Sequence, residues 1–173
     1  MPDVLPLALA SVRNRITRVF PAQIRDCLAQ LDEEQVWWRP NETSNSVGNL
    51  VIHLTGSLNH YLNRGIGRID YHRDRAAEFA ERRNIPKAEL LAAFDEMVAN
   101  AEKTFDAITI ERLAEPSPEQ KMYTIVLEDL LSIMSHISAH AAQIVWITKM
   151  LREGSLDEVW IRTHKKLGGW KAP

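Results

Sequence analysis

Apolar residues recur every three or four positions in four separate stretches of this chain, and that spacing predicts four long helices. In the first, Val12, Ile16, Phe20, Ile24, Leu28 and Leu31 share a face. Pro21 lies inside it and removes a backbone hydrogen bond, so a kink or two abutting helices are expected there. The second helix is predicted from about Val47 to about Arg64, ending near Gly65 and Gly67, with capping side chains supplied by the polar segment that ends at Ser46. The third begins at Pro86, and Leu90, Leu91, Phe94, Met97, Val98, Ala101, Phe105 and Ile108 trace its stripe. A polar break at Glu115-Pro116-Ser117-Pro118-Glu119 precedes the fourth, predicted from near Thr124 to just before Gly154.

Two connections remain. Trp37 to Ser46 reads as a loop, and Gly67 to Pro86 as a long crossing crowded with charge, including Arg73, Asp74, Arg75 and Glu78, in which Phe79 is the one apolar anchor. There are no alternating strands, repeats or low-complexity tracts, so the inventory predicts an all-α protein, most simply a four-helix bundle with long crossover connections. The tail from about Ser155 to Pro173 takes no assignment.

A length of 173 residues fits one domain, residues 1–173. Lys and Arg number 21 against 23 Asp and Glu, which leaves no basic field and argues against a nucleic-acid partner. The single cysteine, Cys27, sits among Ile24, Leu28 and Leu31 as a small buried apolar residue. With no secretory leader and no membrane-spanning run in the sequence, a soluble cytoplasmic protein is expected.

Histidine placement adds the chemistry. His136 and His140 stand four apart on the fourth helix, so their imidazoles project from one face and can converge on one ion. His140 falls within the stripe formed by Ile133, Ile137, Ile144, Ile147 and Leu151. On the second helix, Asn49, His53, Gly56 and His60 form an edge beside the apolar face, and His53 is the best third ligand. Gly56 and Ser57 leave space beside it for a ligand or for close helix approach. Three buried imidazoles would each need a partner in a small core, whereas one divalent metal satisfies all three. His60 is two turns from His53, better placed at a pocket mouth or on the surface.

Three neutral imidazoles leave coordination positions open, as catalytic sites do, so a hydrolytic or transfer reaction follows. Asn49, Gln143 or Asp129 are candidates to orient the ligands, and Arg39 or Arg73 to hold an anionic substrate. The glutamate of H-E-x-x-H peptidases is absent between His136 and His140, and no Glu-x-x-His pattern marks a di-iron centre.

The single histidine of the second helix, the run Asn45-Ser46-Val47-Gly48-Asn49-Leu50 leading into it, and His136-x-x-x-His140-x-x-Gln143-Ile144 resemble the DinB/YfiT-like superfamily of bacterial proteins. Arg73-Asp74-Arg75 followed by Glu78-Phe79 is similar to a segment of one of its uncharacterised branches. The resemblance implies an up-down-down-up bundle, commonly a homodimer, with zinc or nickel held by His53, His136 and His140. It implies a transferase or isomerase acting with a low-molecular-weight thiol, although no motif in this chain fixes a particular thiol. Metal-dependent hydrolysis by bound water and a non-enzymatic helical interaction protein are the alternatives, and only the last predicts a fold indifferent to chelator.

Overall fold

The computed structural model describes residues 3–83, 85–118 and 124–152. The described residues are helical, without a strand; one isolated antiparallel bridge joins Pro116 and Ile125. The tail from Ser155 to Pro173, left unassigned above, lies outside them.

The first predicted helix is a continuous helical run that begins eight residues before the expected stripe, at α1 (Val4–Asn14), and continues through a π-helical stretch (Arg15–Val19) into α2 (Phe20–Gln30). The π stretch answers Pro21. Without an N–H, Pro21 cannot bond the Thr17 carbonyl and its ring would crowd it; the widened turn, closed by the Phe20 amide on the Arg15 carbonyl, absorbs both problems. The early start at Asp3, whose side chain accepts the Leu5 amide, leaves Val4, Leu5 and Leu7 exposed, so periodicity alone did not find it.

Between Leu31, the last position of the first predicted stripe, and the predicted loop lies α3 (Glu33–Trp37), a short helix closed by a reciprocal cap between Asp32 and Gln35. Ser46 caps α4 (Val47–Leu58) in the same way with Asn49, as the sequence predicts for that segment. From Asn59 to Ile66 the chain becomes π-helical before turning at Gly67 and Arg68. Arg68 carries the left-handed backbone, at φ 58°. Gly67 has a different duty: a Cβ there would stand 2.6 Å from the Asn63 carbonyl and 2.2 Å from the Thr104 hydroxyl. Backbone cannot retreat as a side chain can, so Gly67→Ala should cost about 1–3 kcal/mol, read as a lower denaturant midpoint at unchanged slope.

The charged crossing contains α5 (Arg75–Ala80), capped by Asp74. Pro86 caps the next helix rather than entering it, and α6 (Lys87–Asp106) follows. A short 3-10 turn (Glu111–Ala114) leads on to α7 (Val126–Leu151), two residues later than expected at its start.

Helix α7 packs on α2 and α4, and α6 packs on α4 and on the π-helical turn that extends it. Ile16, Ile24, Leu28, Leu54, Leu58, Phe94, Met97, Leu130 and Ile137 are fully enclosed between them, and Cys27 is buried as a small apolar residue. By length and composition α7 would also meet the measure of a membrane span, at mean hydropathy 1.3. Its buried Ile133, Ile137, Ile144 and Ile147 are spent on the core.

Candidate metal centre

Packing α7 against α4 brings the three predicted histidines together. The His53 and His136 Nε2 atoms are 3.0 Å apart, and those of His136 and His140 are 3.1 Å apart. One ligand atom from each of the three lies within 4.8 Å of the others. The rings stand edge to face, at interplanar angles of 82° to 89°.

What lies on the far side of each ring decides what the cluster can do. His53 Nδ1 is 2.9 Å from the Glu78 carboxylate, and His140 Nδ1 is 2.7 Å from the Gln143 side-chain oxygen. Both partners accept, so each imidazole carries its proton on Nδ1 and turns an unprotonated Nε2 inward. Ser57 Oγ faces His136 Nδ1 at 3.5 Å, a long contact to a hydroxyl that can donate or accept. The inward lone pairs of His53 and His140 thus meet the His136 Nε2, which a cation bound there would engage as a third donor. Nitrogens about 2.0–2.1 Å from a tetrahedral ion stand roughly 3.3 Å apart, close to the two short separations here. The donor set fits a divalent metal.

Glu78 is the residue that sequence reasoning missed. It belongs to α5, inside the segment read as a solvated crossing, yet its side chain is 6% exposed. Arg73 clasps it with two hydrogen bonds, of 2.7 and 2.9 Å, while its other neighbours come from the polar edge of α4. Asn49 donates to the backbone carbonyls of Glu78 and Glu81, His53 meets its carboxylate, and at Gly56 a Cβ would stand 2.1 Å from Oε1. The edge Asn49, His53, Gly56 is thus the seat of α5. The space opened by Gly56 admits a carboxylate, not a ligand. A signal was present: Asp74 as a cap and Phe79 as an apolar anchor outline a short helix with Glu78 in its first turn.

Among the other candidates, Gln143 orients His140 as expected. Asn49 orients α5 instead of a ligand, and Asp129, at the start of α7, accepts from the Ser117 hydroxyl at 2.8 Å. Arg73 is committed to Glu78 and so is not a free anion holder. His60 meets the Tyr61 ring edge to face and is not among the grouped ligands; it lies in the π-helical turn beginning at Asn59, which breaks the phase that carried Asn49, His53 and Gly56.

A family profile described as Protein of unknown function (DUF1572) matches residues 7–165, a span that includes all three histidines and Glu78. The chain belongs to DUF1572. No curated protein and no solved structure matches it.

In this DUF1572 chain the electrostatics favour the neutral forms of His53 and His136. Burial, then the neighbouring His140 and His53, push His136 down to about 4; burial also lowers His53, against the opposing hydrogen bond that it donates to Glu78. Burial would raise Glu78, but hydrogen bonds from Arg73 and then His53 outweigh it and keep the carboxylate charged. The folded chain thus holds the His53 and His136 imidazoles neutral where the unfolded chain would protonate them. Stability present above the ordinary histidine value of 6.5 is lost as pH falls through that value toward about 4. Denaturant midpoints of the metal-free protein across this window should fall more steeply for the wild type than for His136→Gln; equal slopes would contradict the assignment.

Proposed function

We propose that this chain is a metal-dependent enzyme in which His53, His136 and His140 hold one divalent ion, zinc or nickel, and that it runs a transferase- or isomerase-type reaction with a low-molecular-weight thiol. The observation that carries the reading is the convergence of three imidazole nitrogens, two of the rings (His53 and His140) fixed from behind by acceptors, at the wall of a cavity of about 470 Å³. Three protein ligands beside open space is the arrangement of a catalytic centre rather than a closed structural one. The long helices α4, α6 and α7 with the run 4–30 support a DinB/YfiT-type four-helix bundle as the scaffold.

The ion would supply Lewis acidity, making the anion of a thiol or a water available near neutral pH. The chain's own residues do the rest. Glu78 and Gln143 hold the His53 and His140 rings in tautomer and in plane, and Arg73 keeps Glu78 ionised. Phe79, stacked on His53 at 4.7 Å, and Ile133 give the cavity apolar walls, while Ser57 and Tyr61 offer hydroxyls to a bound molecule.

Elemental analysis of untagged protein purified without chelator, beside His53→Ala and His136→Ala, tests the proposal. About one zinc or nickel per chain, lost in both variants, is the expected result. A wild type that takes up no ion, or variants that keep it, would overturn the site. Turnover of an electrophile that needs no thiol would redirect the chemistry to hydrolysis by bound water.

A further inference from the structure

The cavity beside the three histidines has a pronounced charge asymmetry. Among the described residues that line it, Arg73 and Arg75 are the charged ones and no carboxylate joins them at the wall. The Arg73 charge is spent on Glu78, which lies behind it. Arg75 is different: it is exposed, no ion pair involves it among the described residues, and its guanidinium carbon lies over the Phe79 ring at 5.4 Å from the centroid. Phe79 in turn stacks on His53. The order Arg75, Phe79, His53 therefore sets an uncompensated guanidinium one aromatic ring from the point where the three imidazoles meet.

The face of Phe79 attracts the guanidinium while leaving N–H groups free to bind, and the guanidinium fork matches a carboxylate or phosphate in a two-pronged contact. With neutral histidines and a divalent ion, the cavity as a whole would be strongly positive. We propose that the molecule handled here carries an anionic group, a carboxylate or a phosphate, a few bonds from the atom that meets the three imidazoles, and that Arg75 holds that group while Phe79 supports the apolar segment between. This rests on the metal reading above.

The test compares mercaptopropionate with mercaptopropanol, which differ at the end away from sulfur, binding to the full-length cobalt-loaded protein; thiolate charge-transfer absorption gives the affinities. The wild type should prefer the carboxylate by about tenfold, the size of one charge-assisted contact at a partly exposed site. Arg75→Gln should take up the same amount of cobalt and bring the preference close to unity, and Arg75→Lys should keep part of it. Equal affinities in the wild type, or a preference that survives Arg75→Gln, would overturn the proposal. If the wild type takes up no cobalt, the metal reading fails separately, and calorimetric titration of the metal-free protein with glutarate decides: heat of binding that disappears in Arg75→Gln sustains the anion site, and no heat removes it.

Discussion

Glu78→Ala should destabilise the protein by about 3–5 kcal/mol, because it leaves the Arg73 guanidinium, 7% exposed, buried beside no compensating charge. The same change removes the acceptor behind His53, so metal affinity should fall by about ten- to a hundredfold. The two effects separate in a double variant. Arg73→Leu combined with Glu78→Leu replaces a buried ion pair with apolar volume and should recover most of the stability, yet not the affinity. Denaturant midpoints and competitive metal titration read the two quantities; a double variant that regained full affinity would show that Glu78 does not act on the histidine. Gly56→Ala should act through the same carboxylate. Its new methyl would displace the end of a rotatable side chain, so the loss should fall more on metal affinity than on helix α4.

Saturating metal should raise the stability of the wild type by about 4 kcal/mol when free ion exceeds its dissociation constant a thousandfold. For a chain of this size that is a shift in Tm of about 8–16 °C, reversed by chelator. His136→Leu should abolish the shift. Without metal it should be as stable as the wild type or more so, since it exchanges a desolvated imidazole facing two others for an apolar side chain. A wild-type Tm that ignores both zinc and chelator would return the cluster to a purely structural role.

The sequence made the long helices legible wherever an apolar stripe faced one core: α4, α6 and α7 lie within a few residues of where the 3.6-residue period puts them. His53, His136 and His140 were legible for the same reason, since a histidine inside or beside such a stripe must face the interior. Helices α3 and α5 were not, because one or two turns do not establish a period and their stability comes from caps and from what they dock on. Glu78 escaped for a related reason: among neighbouring charges nothing local distinguishes a buried carboxylate from a solvated one. Its burial is decided by Gly56, 22 positions earlier, and by Arg73 turning back from the same crossing.

The ligand nitrogens of His53 and His136 meet across 83 positions of sequence, and α5 must be seated before His53 acquires its partner. An ion therefore has no complete coordination set to grip until most of the chain has already condensed. Metal should leave the folding rate almost unchanged and act on the reverse process, slowing the escape of a protein already formed. The ion in this arrangement would be a latch rather than a nucleus, and its concentration would set how long each molecule lasts more than how quickly it is made.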